Sequence, residues 1–327
     1  MLAQNLGIRQ DSRDNGINRY NFSSHIQAAI MNTTPSVGFI GLGLMGQSMA
    51  THIINTGYSL CVHSRTAHKA EPLIALGATY AQTPALLANK VKSGIIIVCV
   101  TDSVSLKQVM LGEHGLLSCI KPGCLIIDMG TSRFDLTQEL AEKTLAKQAY
   151  YIDAPVSGGQ VGAQQGSLSI MAGGTAIQLE RAQPLFDAMG QKTTHVGDIG
   201  CGQLAKAANQ MIVGATLNIV AEALFLAQKN GADPAKVRQA LAGGFADSKI
   251  LQIHGQRMVE ENYTPGARAT TQLKDLQQAQ DLADQSKLKL PLNQTCLSQW
   301  QAMVNAGLGD LDQAGVLAWV EQHNRHG

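Results

Sequence analysis

Charged and aromatic residues are scarce in this sequence, and their scarcity excludes several classes of protein. Only 15% of the residues are charged and 4% are aromatic, and the formal net charge is +1. A protein that binds duplex nucleic acid carries clustered Lys and Arg, whereas the 25 basic residues here are scattered. No uninterrupted apolar run reaches the roughly 20 residues that a bilayer span needs. We therefore expect partners that are small molecules, with neither nucleic acid nor membrane among them.

Cysteine spacing typical of a metal or redox site is also missing. The six cysteines contain no CxxC pair, and several lie inside apolar, strand-like runs. This pattern predicts buried free thiols in a reducing compartment, so we expect a cytoplasmic protein without a metal site.

The chain is long enough for two domains, which usually have roughly 100 to 200 residues each. Residues 1–34 are polar and show no sustained apolar period, so they are predicted to form a disordered leader. The remainder is predicted to divide into a nucleotide-binding domain at 35–198 and an all-helical domain at 199–327.

Three glycines follow the first apolar run, in "SVGFIGLGLMGQSMA" at residues 36–50. A glycine-rich hairpin tip would satisfy the same GxGxxG pattern. Here, however, strand, turn, helix and strand follow one another within about 30 residues, which favours a dinucleotide-binding turn. The turn predicted to bind the cofactor consists of Gly41, Leu42, Gly43, Leu44, Met45 and Gly46.

The second strand ends at "HSRT", where a cofactor without an extra phosphate would usually meet an acidic residue. Ser64, Arg65 and Thr66 stand there instead. A guanidinium and two hydroxyls would bind a 2′-phosphate, so NADP is favoured and NAD remains possible. Alternatively, Arg65 is only a solvated charge at the end of a strand.

Two further apolar runs, at 93–102 and 123–132, resemble buried parallel strands with polar ends. Ligands bind at such ends, so Thr101, Asp102, Thr131 and Ser132 are predicted to face the cofactor. Each could instead be a helix N-cap.

Residues 199–231 read as one helix of roughly 30 residues, about 45 Å long. Its only charge between Asp198 and Glu222 is Lys206, and a lysine on a buried helix requires compensation, which an anionic substrate would supply. A snorkelling surface lysine is the alternative. Asn209 and Gln210 follow at helical spacing and bring their amides to the same face.

A glycine-rich stretch at 153–174 carries one charge, Asp153. Ser157, Gly158 and Gly159 can present a hydroxyl and backbone N–H groups to an anionic oxygen pair, although a plain turn has the same composition.

Together, "GFIGLGLMGQSMA", "DAPVSGG", "GQLAKAANQ" and "TTQLKDLQQA" resemble the signatures of the 3-hydroxyacid dehydrogenase family over residues 36 to about 320. The resemblance implies an α/β protein: an N-terminal Rossmann-type doubly wound sheet, then an all-α C-terminal domain joined through a long interdomain helix. Within the family, "ANQMIV" and the stretch from "ADPAKV" to "GQRM" are most similar to tartronate semialdehyde reductases.

The resemblance also implies roles for individual residues. Lys206 would be the catalytic group, and Ser157 to Gly159 would hold the substrate carboxylate. Many relatives have Asn where this chain has Gln210, so either Gln210 or Asn209 would contact the substrate. On the cofactor side, the residues implied are Thr101, Thr131, Phe245 and Lys274, although Lys274 could instead pair only with Asp275.

The implied activity is NAD(P)H-dependent reduction of a small aldehyde or keto acid, with tartronate semialdehyde first among the candidates. A 3-hydroxyisobutyrate dehydrogenase, a glyoxylate or succinic semialdehyde reductase, and a catalytically silent cofactor-binding module are the alternatives. An imine-reducing relative would be expected to carry another residue at position 206. Because the long helix needs apolar cover on all sides, we expect a homodimer or homotetramer.

Overall fold

Six neighbouring parallel strands make up most of a nine-stranded sheet in the computed structural model, which describes residues 36–325. These residues belong to one compact unit. The leader predicted at 1–34 lies outside the described residues. The strands are β1 (Val37–Ile40), β2 (Leu60–His63), β3 (Thr79–Tyr80), β4 (Ile95–Val98), β5 (Leu125–Asp128), β6 (Tyr150–Asp153), β7 (Val156–Ser157), β8 (Leu168–Gly173) and β9 (Gly190–Gly197).

A helix separates each strand from the next as far as β9, except that β7 directly follows β6; after β9 the helices follow one another without strands. Those of the sheet region are α1 (Gly46–Asn55), α2 (Glu71–Ala75), α3 (Pro84–Val91), α4 (Ser103–Leu111), α5 (Phe134–Leu145), α6 (Gly159–Gln164) and α7 (Ala176–Met189). Those of the helical region are α8 (Cys201–Lys229), α9 (Pro234–Leu241), α10 (Lys249–Val259), α11 (Ala269–Gln285), α12 (Pro291–Met303) and α13 (Val316–His323). The fold is therefore the predicted α/β sheet followed by an all-helical region.

The strand order is β3-β2-β1-β4-β5-β6, and each neighbouring pair is parallel. Beyond β6 the sheet continues with β8, which runs antiparallel to β6 and β7 and parallel to β9. The order reverses between β1 and β4, and ligands of doubly wound sheets bind at that point, outside the carboxyl ends of the strands. The carboxyl ends of β1, β2, β4 and β5 therefore define one candidate ligand edge.

Both faces of the parallel sheet are covered, which explains why its strands are apolar without alternation. Phe39, Ile97 and Ile127 belong to one buried cluster, and Ile96 and Ile126 belong to another on the opposite face. A third cluster is built on α8 together with α10 to α13. The helical region thus has its own core, organised around a single long helix.

Helix α8 contacts every later helix and also β6, β8 and β9. It is the one helix among residues 36–325 that is long and apolar enough to cross a membrane. Core helices of globular proteins meet the same criterion, and all five later helices pack against α8. A search for uninterrupted apolar runs does not find α8, because polar residues interrupt its sequence every few positions.

The start of α11 is fixed by a buried carboxylate, Asp312. Its Oδ2 accepts from the backbone N of Gly266 at 2.9 Å and of Ala267 at 3.1 Å, and its Oδ1 accepts from Ala314 N at 3.0 Å. His254 and Arg257 of α10 lie 3.5 Å and 3.6 Å from its two oxygens. Burial alone would raise the pKa of Asp312, but the hydrogen bonds from His254 and from the three backbone N–H groups outweigh burial and lower this pKa to about 2. Asp312 therefore joins α10, the segment before α11 and the segment before α13.

Candidate active site

The glycine turn after β1 has the geometry that a dinucleotide requires. Gly41 has a φ of +103°, and a Cβ there would collide with the carbonyl oxygen of Cys99. A Cβ on Gly46 would collide with the carbonyl oxygen of Gly41. At Gly43, in contrast, a Cβ would meet no atom within 4 Å. Two of the glycines are thus needed for the turn itself, and the middle one faces open space where a pyrophosphate would approach.

Helix α1 begins directly after this turn, with no side-chain cap and no acidic residue in its first turn. No side chain of the first turn therefore competes with an anion at this helix N-terminus, which is what a dinucleotide-binding helix requires. Leu42 is buried in the core, Met45 packs against the core and Leu44 is exposed. Of these three residues, only Leu44 has a side chain free to lie against a bound molecule.

The residues after β2 lie beside the glycine turn because Ile40 of β1 pairs with His63 of β2. Arg65 is exposed and makes no ion pair within the described part of the chain. Ser64 is buried, and its hydroxyl oxygen accepts from Thr66 N at 3.4 Å. Of the predicted trio, Arg65 and Thr66 remain open to a 2′-phosphate, and Ser64 shapes the turn.

The polar residues after β4 and β5 divide into two groups. Asp102 caps α4 by accepting from Ser105 N at 2.7 Å, and Ser132 is buried with its hydroxyl donating to Asp128 Oδ2 at 2.8 Å. These two were predicted to face the cofactor, and the structure assigns their side chains to local hydrogen bonds. Thr101 and Thr131 remain at the ligand edge of the sheet.

Lys274 connects the helical region to this edge. Its Nζ donates to the carbonyl oxygen of Thr101 at 3.0 Å and lies 3.4 Å from that of Thr131. It also pairs with Asp275 Oδ1 at 2.9 Å. Lys274 therefore does not pair only with Asp275, because its ammonium also contacts the segments that follow β4 and β5.

Lys206 is buried, with 8% of its surface exposed, so it is not a snorkelling surface lysine. Its Nζ donates to the carbonyl oxygen of Val156 at 2.9 Å, which places the ammonium next to Ser157. Burial lowers the pKa of Lys206 to about 8; the charge of Asp275 opposes this shift and that of Lys274 adds to it. An amine with such a pKa can both give and take a proton near neutral pH.

The turn that follows Val156 supplies backbone donors beside this lysine. Gly158 and Gly159 both have positive φ angles, of +136° and +61°. A Cβ at Gly159 would meet no atom within 4 Å. The turn is therefore open on the side of Gly159, as a site for a small carboxylate must be.

The two amides after Lys206 do different things. Gln210 is buried and its amide nitrogen donates to Asp275 Oδ2. Asn209 donates from Nδ2 to Gln210 Oε1 at 2.7 Å. Gln210 is thus held in place by Asp275. Asn209 is half-buried, and its amide oxygen takes no part in the hydrogen bonds that link Asn209, Gln210 and Asp275.

Phe245, predicted to contact the cofactor, is fully exposed in the segment between α9 and α10. That segment is fixed by Asp247, whose Oδ2 accepts from Gly243 N at 2.9 Å. Within one chain, Phe245 therefore makes no contact that would bury it, and the structure does not bring it to the other site residues.

Two buried carboxylates near the site, Asp153 and Asp128, received no role from the sequence analysis. Asp153 accepts from Gly200 N at 2.7 Å and from Gln203 N at 2.8 Å, which fastens the start of α8 to the end of β6. Asp128 accepts from Gly130 N at 3.0 Å; burial raises its pKa to about 7, although its hydrogen bonds oppose the shift. One sequence feature could have indicated a role for Asp153: it is the single charge in the otherwise uncharged stretch at 153–174.

A shallow cleft open to solvent lies between residues 131–135, α8 and α11. Thr131, Gln203, Gln210 and Asp275 line it, whereas Lys206 and the glycine turn lie outside it. We therefore locate the site by the convergence of polar groups on Lys206 rather than by this cleft. No cluster of three or more metal-binding side chains is found among residues 36–325.

The parallel sheet, the glycine turn and the lysine beside an open backbone turn define a dinucleotide-dependent dehydrogenase. Comparison with known proteins agrees. The family model described as the NAD binding domain of 6-phosphogluconate dehydrogenase matches residues 36–197. The model described as NAD-binding of NADP-dependent 3-hydroxyisobutyrate dehydrogenase matches residues 200–320.

Individual relatives give the same assignment. The chain is 39% identical to 2-hydroxy-3-oxopropionate reductase of Escherichia coli (strain K12), over 89% of this chain and 98% of the relative. It is 36% identical to probable 3-hydroxyisobutyrate dehydrogenase-like 1, mitochondrial, of Arabidopsis thaliana, over 92% of this chain and 90% of that one. A solved structure of 3-hydroxyisobutyrate dehydrogenase from Salmonella typhimurium matches with a TM-score of 0.79 and 28% identity, over 86% of this chain and 99% of that one.

The chain belongs to the 3-hydroxyacid dehydrogenase family. It is an NAD(P)-dependent oxidoreductase that acts on the hydroxyl group of a small hydroxy acid. The residues around the glycine turn fit this cofactor, because open backbone N–H groups and an unpaired cationic side chain suit its phosphates.

Proposed function

We propose that this protein reduces tartronate semialdehyde to glycerate, with Lys206 as the general acid and NADPH as the preferred cofactor. The observation that carries the proposal is the buried Lys206 ammonium, 2.9 Å from the carbonyl oxygen of Val156 and next to the Ser157–Gly159 turn. A cation adjacent to a turn that could bind an anion would suit a substrate with a carboxylate on one end and a carbonyl on the other.

The substrate would be held at two points. The carboxylate would accept hydrogen bonds from the Ser157 hydroxyl and from the backbone around Gly158 and Gly159. The remaining hydroxyl of the substrate would meet Asn209, whose amide oxygen is uncommitted, while Gln210 stays bound to Asp275. Gln210 then acts on the substrate only indirectly, by holding Asn209.

A bound reduced nicotinamide would supply the hydride for this reaction. Lys206 donates a hydrogen bond to the carbonyl oxygen, stabilises the developing alkoxide and transfers a proton from Nζ to it. In the oxidative direction, the neutral amine of Lys206 removes the hydroxyl proton. The charge of Asp275 favours the protonated form of Lys206.

The cofactor would lie along the ligand edge of the sheet. Gly41 to Gly46 and the start of α1 would hold the pyrophosphate, with Leu44 against it. Arg65 and Thr66 would bind the 2′-phosphate, which favours NADPH over NADH. Thr101, Thr131 and Lys274 would line the nicotinamide end; Phe245 would take part only through another subunit, because it is exposed in this one.

The choice of tartronate semialdehyde is supported by the name of the Escherichia coli relative, 2-hydroxy-3-oxopropionate reductase, because 2-hydroxy-3-oxopropionate is tartronate semialdehyde. The proposed division at residue 198 is supported by the two family models, which meet between residues 197 and 200.

All six cysteines are free thiols, which supports the proposed cytoplasmic location.

A substrate panel tests the proposal directly. Tartronate semialdehyde, glyoxylate, succinic semialdehyde and methylmalonate semialdehyde are each assayed with NADPH and with NADH, by loss of absorbance of the reduced cofactor. The proposal requires the highest kcat/KM for tartronate semialdehyde with NADPH. A higher value for another aldehyde would replace the substrate, and no turnover of any of them would favour a cofactor-binding module without catalysis.

A further inference from the structure

The side chain of Gln203 connects the catalytic helix to the turn that carries Thr131. Gln203 is only 3% exposed and precedes Lys206 by one turn of α8. Its Oε1 accepts from Ser132 N at 2.9 Å, and its Nε2 donates to the carbonyl oxygen of Gly130 at 3.0 Å. One amide thus pairs with the backbone on both sides of Thr131.

The backbone of Gln203 is hydrogen-bonded to the end of a second strand, β6. Gln203 N donates to Asp153 Oδ2 at 2.8 Å, and Gly200 N donates to Asp153 Oδ1 at 2.7 Å. Gln203 is therefore tied to the ends of two neighbouring strands, to β6 through its backbone and to the turn after β5 through its side chain.

The turn after β5 is also hydrogen-bonded to Asp128, the last residue of β5. Asp128 accepts from Gly130 N at 3.0 Å and from the Ser132 hydroxyl at 2.8 Å. Gly130 and Ser132 each therefore have one hydrogen bond to the sheet and one to Gln203. Thr131 lies between them, so its position relative to α8 depends on the Gln203 amide.

We propose that Gln203 is a positioning residue that sets the distance between Lys206 and the cofactor-facing turn at Thr131. This inference rests on the proposed function, in which Lys206 delivers the proton and Thr131 lines the nicotinamide end. Gln203 contacts neither reacting group. It fixes the relative placement of the proton donor on the helix and the hydride donor on the sheet, and misplacement by about 1 Å can lower a rate about 100-fold.

The competing explanation is that Gln203 only satisfies buried polar groups and contributes to stability. Gln280 provides a matched control, because it is also a buried glutamine with both amide atoms bonded. Its Oε1 accepts from Asn293 Nδ2 at 3.0 Å and its Nε2 donates to Asp284 Oδ1 at 2.8 Å, both within the helical region. Neither partner belongs to the site.

The test compares Gln203→Met, Gln203→Asn and Gln280→Met in the full-length protein. Methionine keeps the length and removes both hydrogen bonds, whereas asparagine keeps the amide but is one methylene too short. For each variant we measure Tm, the dissociation constant of NADPH by fluorescence, kcat and KM, and the primary isotope effect with deuterated NADPH.

For Gln203→Met we expect kcat to fall about 10- to 100-fold, with weaker NADPH binding and a larger isotope effect because hydride transfer becomes rate-limiting. KM for the aldehyde should change less than threefold, since the Ser157–Gly159 turn is untouched. Gln280→Met should lower Tm while kcat and NADPH affinity stay within twofold of wild type.

Equal losses of Tm in the two methionine variants, with kcat and NADPH affinity unchanged in both, would overturn the proposal. If Gln203→Met does not fold, Gln203→Asn decides by the same criteria. The result is separable from the proposed function, because NADPH affinity and amide exchange at Ser132 report on the Gln203 contact even if no aldehyde is reduced. Faster exchange at Ser132 together with unchanged NADPH affinity would also reject the proposal.

Discussion

The ammonium of Lys206 lies 2.9 Å from the carbonyl oxygen of Val156, the residue that immediately precedes Ser157. This hydrogen bond joins α8 to β7, and it holds the one charged group of the first half of α8 beside the glycine turn. The contact explains how a buried lysine is tolerated before a substrate arrives, since its nitrogen retains a partner.

Replacement of Lys206 should abolish reduction while leaving the cofactor site intact. We expect Lys206→Met to lower kcat at least about 100-fold, because both the proton donor and the charge that stabilises the alkoxide are removed. NADPH affinity, measured by fluorescence, should stay within about threefold. Lys236→Met, at an exposed position of α9, is the control. Near-normal turnover by Lys206→Met would remove Lys206 from the mechanism.

The pH dependence of the two directions should be opposite. The pKa of Lys206 is about 8, so the ammonium needed for reduction is present below this pH and is lost above it. Reductive kcat/KM should therefore fall as pH rises through about 8, and oxidative kcat/KM should rise over the same range. Profiles from pH 6 to 10 in both directions check this. A reductive profile that is flat from pH 7 to 10 would contradict it.

Arg65 should determine the choice between the two cofactors. A charge-assisted bond between a guanidinium and a phosphate contributes about 1.5 to 3 kcal/mol, which corresponds to a preference for NADPH of about tenfold or more. Arg65→Asp should reverse the preference, because the carboxylate repels the 2′-phosphate. Lys69→Asp changes the charge equally at a nearby exposed position and should leave the ratio of the two kcat/KM values unchanged. Equal Michaelis constants for NADPH and NADH in the wild type would count against this role.

Asp312 should stabilise the helical region in a pH-dependent way. Its pKa is lowered to about 2, so its contribution is fully present above the unfolded pKa of about 4 and is lost as pH falls towards 2. We expect Asp312→Asn to lower the free energy of unfolding by about 3 kcal/mol at pH 7, because a buried pair is broken.

The difference between wild type and Asp312→Asn should shrink by about 2 kcal/mol between pH 5 and pH 2, as measured by urea unfolding. Asp310→Asn is the control, since Asp310 is exposed and pairs only with Arg268 at 3.4 Å. It should change stability little at either pH. A difference that stays constant down to pH 2 would show that the Asp312 charge is not what stabilises the fold.

The exposed side of α8 should form a contact between subunits. Ile212, Ile219 and Leu226 are exposed and lie seven residues apart, so they form one apolar stripe along the helix. We expect a dimer or tetramer by light scattering at low micromolar concentration, and a monomer for Ile219→Asp. Val104→Asp, at an exposed apolar residue of α4, should leave the mass unchanged. A wild-type mass of 34.7 kDa would contradict the prediction.

The local elements of the site were predictable because they depend on short sequence patterns. The glycine turn, the strand ends and the long helix each follow from spacing and burial within about 30 residues. The lone charge of Lys206 was visible for the same reason, since one ammonium in an apolar helix stands out without any knowledge of the fold. The resemblance to the family then supplied the roles of the residues.

The contacts that individual polar and aromatic side chains make were not predictable in this way. Ser132 and Asp102 look alike in the sequence, as polar residues after a strand, but one is buried against Asp128 and the other caps a helix. Phe245 resembles a site residue in its local context and is exposed in the structure.

What the sequence determined by itself is therefore the set of elements and the groups they carry: a glycine turn after the first strand, a second glycine turn at residues 157–159 and one amine on an apolar helix. Only the tertiary structure decided which groups meet. Gln203 and Ser132 are 71 residues apart along the chain, and Gln210 and Asp275 are 65 apart. Contacts at such separations depend on how the sheet and the helices pack, because a hydrogen bond forms only when its two atoms lie about 3 Å apart. The residues between two such partners contain no pattern that predicts the contact.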